Sequence, residues 1–299
     1  MLASTVIAAE APKAPADPLP LVSYASPGQL VKLSGGNNLN IRCIGQGSPT
    51  IVLTAGAGEQ TLTWRALQSS LSTMARVCAW DRPGFGFSDP IPTLDATHLT
   101  DSLEAGVVAA RIMPPYLLVG HSLGSFETLM FAFRHPDQVA GIVLIDPAGP
   151  FQDARLRRAA PATYAAIDAL QTSQVTALKQ GKTASDRANF SLLTNMFSGV
   201  DSRELMQAWH PLGALPLIVL TAGEPPAIPV SGAAKAQMPA LQAAWSDMHD
   251  EMARLSTRGT NRLVPQATHN IYLDRPDVVT GAIGEVLGAY RAKADAPRR

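Results

Sequence analysis

Short runs of continuously apolar residues alternate along the chain with longer stretches whose apolar positions recur every three or four residues. Leu30 to Leu33 and Asn40 to Ile44 predict two strands joined across Ser34-Gly35-Gly36-Asn37-Asn38, a strong turn sequence. Thr50 to Thr54 (TIVLT) reads as a buried strand ending in Ala55-Gly56-Ala57-Gly58, and Trp64 to Leu71 has helical spacing. Arg76 to Trp80 is another strand, closing on the glycine-punctuated stretch DRPGFGFSD, Asp81 to Asp89. Leu99 to Met113 has a helical period that stops at Pro114-Pro115, because proline has no N–H and collides with the preceding turn. Tyr116 to Val119 predicts a strand and Ser125 to about Arg134 a helix stopped near Pro136; Gly141 to Ile145 is an apolar strand closing on Asp146-Pro147.

Strands that are apolar throughout have both faces covered, and their alternation with helices predicts a mainly parallel sheet between helical layers. The rhythm changes after Pro150. Residues 151–213 hold no convincing strand but four amphipathic helical pieces: Ala154 to Ala160, Ala162 to Leu178, Asp186 to Met196 and Ser202 to Trp209. Sheet rhythm returns at Leu215 to Thr221, followed by a Pro-rich loop, a helix from about Ala240 to Ser256, a strand from Asn261 to Val264 and a last helix from Asp277 to Ala292. The expected organisation is one α/β core of residues 28–150 and 214–292, a helical lid over it at 151–213, a leader at 1–27 without fold, and a tail at 293–299. Met1 to Ala9 is similar to the end of a secretory signal, with a small-residue cleavage site at Ala8-Ala9-Glu10-Ala11 and no basic segment before it. A trimmed export signal would put the protein in the periplasm or outside the cell; a mere leader would leave it in the cytoplasm.

Composition narrows the function classes. The 299 residues are 46% hydrophobic and 16% charged, as expected of a globular protein with a large core. Lys+Arg 24 against Asp+Glu 24 leaves no net charge, so nothing favours nucleic acid or an anionic membrane. No apolar run approaches the length of a membrane span. The two cysteines, Cys43 and Cys78, cannot make a disulfide framework, and no Cys/His spacing suggests zinc. The glycines of DRPGFGFSD match neither G-x-x-x-x-G-K-[ST] nor G-x-G-x-x-G, which argues against a nucleotide.

The chemistry concentrates at Gly120-His121-Ser122-Leu123-Gly124, a G-x-S-x-G between a predicted strand and a predicted helix. So tight a turn leaves no room for side chains at Gly120 or Gly124, and it holds the Ser122 hydroxyl clear of the sheet at a helix N-terminus. A serine hydroxyl is a poor nucleophile unless a base takes its proton. Six histidines are available: His121 is locked in the elbow, His135 sits beside a helix-stopping proline, and His98, His210 and His249 lie in helical or lid segments as surface or lid residues. His269 alone occupies a short loop after the last strand.

With GHSLG, the DRPGFGFSD loop, GIVLIDPAG and ATHNIYLDRPDVV in hand, residues 28–292 resemble the α/β-hydrolase fold superfamily. The resemblance implies a mostly parallel eight-stranded sheet with helices on both faces and a helical cap after the sixth strand. It makes Ser122 the nucleophile and His269 the base, in the chain order serine, acid, histidine. The acid usually follows strand seven, where this chain reads Leu220-Thr221-Ala222-Gly223-Glu224-Pro225-Pro226 with no aspartate. Two candidates remain. Glu224 is near the usual place, while Asp146 ends the sixth strand, similar to the branch of haloalkane dehalogenases whose acid lies there; Asp146 is favoured. The oxyanion of acyl transfer needs two backbone N–H groups, expected from Leu123 and Ala57.

The lid aromatics Phe151, Tyr164, Phe197 and Trp209 are candidate pocket walls, with Phe190, Leu193 and Met196 beside them, and they point to an apolar small-molecule substrate. The expectation is hydrolysis of a carboxylic ester with no metal or organic cofactor. A lactonase, amidase, thioesterase or C–C hydrolase would use the same residues, and a binding protein that has lost turnover is the rival of another class. On this fold Cys43 and Cys78 would lie on neighbouring strands, as two buried thiols or, in an exported protein, as a disulfide. Nothing in the sequence speaks to the oligomeric state.

Overall fold

The computed structural model describes residues 20–294. Most of the predicted leader and the last five residues of the tail lie outside the described residues. Eight strands form one sheet: β1 Gln29–Lys32, β2 Asn38–Ile44, β3 Thr50–Thr54, β4 Val77–Trp80, β5 Tyr116–His121, β6 Val139–Ile145, β7 Leu217–Ala222 and β8 Gly259–Val264. Their order is β1-β2-β4-β3-β5-β6-β7-β8; β2 runs antiparallel to β1 and β4, and every other neighbouring pair is parallel.

Helices α1 Arg65–Leu71, α2 Ala96–Ala109 and α3 Gly124–Arg134 fall between strands of the first half. Four helices, α4 Gln152–Ala159, α5 Pro161–Lys179, α6 Ala184–Ser198 and α7 Val200–Ala208, connect β6 to β7. After β7 come α8 Gly232–Ala236 and α9 Met238–Ala253, and after β8 α10 Ile271–Asp274 and α11 Pro276–Ala294.

The continuous apolar character of the strands has the expected origin. Alternate residues feed two cores: Val52, Leu118, Ile142 and Leu144 face Leu99, Leu103, Phe126 and Met130 of α2 and α3. Ile51, Leu117, Val119 and Val143 face Leu67 and Leu71 of α1 and Val279 and Ile283 of α11. Both sides of the central strands are therefore dry.

Four local readings need correction. The stretch before Pro27 is not without fold: Leu21–Tyr24 makes a 3-10 turn, the Tyr24 hydroxyl donates to Gln68 Oε1 at 3.0 Å, and the Arg42 guanidinium covers the Tyr24 ring. An aromatic body with a polar tip docks well at such an edge. Helix α2 starts three residues earlier than its apolar period suggests, because Asp95 caps the His98 N–H while Asp201 and Glu204 of α7 accept from Ala96 and Thr97 N–H, each at 2.9 Å. Helices α8 and α10, five and four residues long, escape the sequence because they are shorter than a period can reveal. Cys43 and Cys78, opposite each other in the β2–β4 ladder, are joined in a disulfide rather than held as free thiols.

Candidate active site

Strand β5 delivers the chain to Ser122, which sits at φ +50°, a left-handed conformation unusual for a residue with a side chain. The turn is pinned on both sides: Ser122 N–H donates to the Ile145 carbonyl at 3.1 Å, and the Ser122 carbonyl accepts from Ala148 N–H at 2.9 Å. A Cβ on Gly120 would lie 2.6 Å from Thr128 Oγ1 and 2.7 Å from the Gly124 carbonyl, and one on Gly124 would collide with the Thr54 carbonyl. Neither glycine is there for a positive φ. Both are there for close approach.

Beyond the ends of β6 and β8, the structure brings Asp146 and His269 together, with Asp146 Oδ2 2.6 Å from His269 Nδ1. The other oxygen, Oδ1, accepts from Ala222 N–H and Trp245 Nε1–H, each at 2.9 Å. Burial pushes the Asp146 carboxyl up, but the hydrogen bond and charge of His269, with help from His249 and the Ala222 N–H, hold it below the usual carboxylate range. Glu224, the other candidate acid, is exposed at the edge of the same cavity, and its backbone N–H donates to the Ala267 carbonyl. In this conformation the Ser122 hydroxyl makes no hydrogen bond to His269, although both residues line one cavity. Such bonds often tighten only around substrate.

His249 is not the surface residue its helical position suggests. It is fully buried on α9, against Thr221 Oγ1 at 2.7 Å and the Pro147 carbonyl at 2.9 Å, and burial pushes its pKa down. There it packs behind the loop that carries Asp146.

A second polar cluster lies on the other side of Ser122. Glu59 Oε2 accepts from Gly56 N–H at 2.6 Å and lies 3.1 Å from His121 Nδ1, while Glu59 Oε1 accepts from the Tyr272 hydroxyl at 2.7 Å. His121 Nε2 lies 3.1 Å from the His269 carbonyl. Burial raises the Glu59 pKa, yet these hydrogen bonds outweigh it and bring the carboxyl down to about 2. Beneath the same loop Arg82, from DRPGFGFSD, donates to the carbonyls of Ala55 and Gly56 and pairs with the buried Glu127 of α3. That glycine-rich stretch thus braces the loop after β3. Among the described residues, the Ala57 and Leu123 N–H groups have no protein acceptor.

The cavity holding Ser122 and His269 has a volume of about 330 Å³ and is walled by Ala148, Leu156, Ile167, Met196, Leu241 and Trp245, with Gln152, Gln171, Gln242 and Asp153 among them. Of the lid residues singled out from sequence, Met196 is one of these walls; Phe151, Tyr164, Phe197 and Trp209 are not. Trp209 stacks near Phe133, Tyr164 packs in a small core with Leu156 and Leu241, and Phe151 and Phe197 line a neighbouring cavity of about 190 Å³. Aromatic residues at helical spacing mostly fill the spaces between helices, and here they do. The walls contributed by α9 were missed because nothing local marks Leu241 or Trp245 as facing a loop some hundred residues away. A larger groove of about 730 Å³, beside Pro114, Pro136 and Pro216 at the opposite ends of the strands, holds none of the predicted site residues.

The pattern describing the alpha/beta hydrolase family matches residues 51–282. The chain is 28% identical over 243 residues to the uncharacterised protein YqjL of Bacillus subtilis, covering 81% of this chain and 85% of that one. It is 34% identical over 108 residues to a pimeloyl-[acyl-carrier protein] methyl ester esterase of Chromobacterium violaceum, 36% of this chain and 40% of that enzyme. Among solved structures, a thermophilic esterase from Thermogutta terrifontis superposes with a TM-score of 0.63 at 20% identity, over 89% of this chain and 99% of that one.

Proposed function

The chain belongs to the alpha/beta hydrolase family, and from that premise we propose that it is a serine hydrolase cleaving a carboxylic ester of a fairly apolar small molecule. One observation carries the reading: Ser122, on a left-handed turn, shares a cavity with a histidine whose Nδ1 is hydrogen-bonded to a buried aspartate. The methyl ester esterase relative supports an ester as the substrate.

In this mechanism Ser122 Oγ attacks the ester carbonyl carbon as His269 Nε2 takes the hydroxyl proton. Asp146 keeps the Nδ1 proton of His269 and stabilises the ring while it is charged. The carbonyl oxygen gains negative charge, and the N–H groups of Ala57 and Leu123 stabilise it by donating hydrogen bonds to it. Collapse breaks the C–O bond, and His269 returns its proton to the leaving alcohol. Water then attacks the acyl-enzyme along the same route and frees Ser122. Asp146 is assigned as the acid because its carboxylate is buried and paired with His269, whereas that of Glu224 is exposed.

The test is hydrolysis of p-nitrophenyl esters of increasing acyl length by wild type, Ser122→Ala, Asp146→Asn and Glu224→Gln. Loss of on the order of 10⁴-fold or more in kcat is expected for the first two variants, with Glu224→Gln staying active. Loss confined to Glu224→Gln would move the acid to the strand-seven loop. A fluorophosphonate that fails to label Ser122 would instead make the cavity a binding site without turnover. The disulfide between Cys43 and Cys78 supports an oxidising compartment for the protein, in keeping with an exported one.

A further inference from the structure

The cavity over Ser122 runs to Asp153, in the first turn of α4, and there its chemistry changes. Leu156, Ile167 and Leu241 line it as hydrocarbon, yet Asp153 Oδ1 is buried with no hydrogen-bond partner. Tyr164 and Gln171 lie against the carboxyl, and burial pushes its pKa up against their pull. The same side chain lines two further cavities on the lid side, of about 190 and 290 Å³, so the chamber over the nucleophile and the outer lid meet at Asp153. Leaving a buried acceptor unpaired costs about 1–3 kcal/mol. A purely apolar substrate would leave it unpaired still, and an anionic one would add repulsion.

The distribution of charge around the chamber points the same way. Asp146, Asp153 and Glu224 line it, and among the described residues no lysine or arginine does. Asp146 is already matched by His269. Arg157, one turn further along α4, does not line the chamber: it lies 4.9 Å over the Tyr164 ring and 3.3 Å from Asp168, and its charge acts on Asp153 from the outer cavity that the two residues share. Trp245 adds an indole to the wall, a surface that tolerates a cation better than an aliphatic one does.

We propose that Asp153 anchors a cation subsite: the substrate carries an ammonium group at the far end of an apolar body, and Asp153 Oδ1 accepts its N–H while the ester lies over Ser122. This rests on the serine hydrolase reading of the same cavity and narrows its substrate to amine-bearing esters. A carboxylate that receives an ammonium in a dry pocket forms a charge-assisted bond, stronger than a neutral one. The stretch of cavity between Ser122 and Asp153, lined by Leu156, Ile167 and Leu241, would then set the length of the body that fits.

Matched esters test it. Butyrates of ω-amino alcohols with three to six carbons are compared with butyrates in which a methyl group replaces the ammonium, at pH 7.5 in a pH-stat. Wild type, Asp153→Asn and Asp153→Leu are assayed, Asp153→Asn keeping the shape should Asp153→Leu misfold. The readout is the ratio of kcat/KM for ammonium over methyl. At the best chain length wild type should favour the ammonium ester by on the order of tenfold or more, and the ratio should fall to about one in both variants. A wild-type ratio at or below one for every length, or the same ratio in all three proteins, would overturn the subsite. Calorimetry of hexylammonium against hexanol, on Ser122→Ala with and without Asp153→Asn, separates the two readings. Hexylammonium binding that is lost with Asp153→Asn, where wild type itself turns over no ester, upholds the subsite and removes only the hydrolase assignment. Turnover of neutral esters without hexylammonium binding does the reverse.

Discussion

Glu59 is the side chain on which the parts around Ser122 converge. Its carboxylate holds Gly56 in the loop after β3, His121 in the elbow and Tyr272 on α10, and through His121 it reaches the backbone of His269. A glutamine has one acceptor oxygen where Glu59 uses two, so Glu59→Gln puts an N–H2 donor where one carboxylate oxygen stood and removes the negative charge, and the cluster around Gly56, His121 and Tyr272 must rearrange. Displacement of a donor loop or base by a fraction of an ångström should lower kcat by roughly tenfold to a hundredfold. KM should stay within a few-fold, because Glu59 is not part of the cavity wall. The fluorophosphonate labelling rate of Ser122 should fall in parallel. An unchanged kcat, or a loss in KM alone, would show Glu59 to be merely structural. Ser122 and His269 were legible in the sequence because a tight glycine turn and a histidine after the last strand are local signals. Asp146 was legible partly through a gap, the lack of an aspartate after β7. Glu59 was not legible at all: its partner His121 lies 62 residues away, and no local pattern announces such a pairing.

At the scale of elements, the helical pieces inserted after β6 could be read almost to the residue, since each has an apolar period and a break before it. What the period cannot show is how they attach. Helix α7 attaches by lending two carboxylates to the N-terminus of α2, and Asp201 is the buried one. Burial, with the nearby charges of Glu127, Glu204 and Asp95, raises its pKa to about 7 against the pull of the Ala96 N–H. The sign follows from linkage. Below pH ~4 both the folded and the unfolded protein hold this proton; between pH ~4 and 7 only the folded protein does. Stability from Asp201 is therefore full below pH ~4, declines as pH rises from ~4, and is lost once pH passes about 7. Asp201→Asn keeps an acceptor for Ala96 without the charge. The variant should be more stable than wild type at pH 8, by about 2–4 kcal/mol, and the gap should close toward pH 4. Urea unfolding of both proteins at pH 4.5, 6 and 8 measures it. A gap that does not change with pH would mean Asp201 is ionised throughout.

For the whole molecule, the order of strands explains why one small hairpin needs a fastening. Strands β1 and β2 lie at one end of the sheet, joined to its other strands through the β2–β4 ladder and packed against α2 through Val31, Leu39 and Ile41. The sequence showed both cysteines and their neighbouring strands, but strand neighbours alone do not decide between two thiols and a bond. The disulfide between Cys43 and Cys78 closes a segment with a sequence separation of 35 across that ladder. Cross-linking such a loop restricts the unfolded chain and should contribute about 3–4 kcal/mol. The proposed catalytic groups lie beyond the ends of β3, β5, β6 and β8, and none is on the hairpin. Stability and activity should therefore separate: a Cys43→Ala, Cys78→Ala double variant is expected to melt several degrees lower than wild type, yet to keep its kcat/KM at 25 °C within a few-fold. Alkylation of native protein under denaturing, non-reducing conditions should label neither cysteine, and should label both after reduction. Labelling without reduction would mean that the hairpin is held by its ladder and core alone, and the double variant would then melt with wild type.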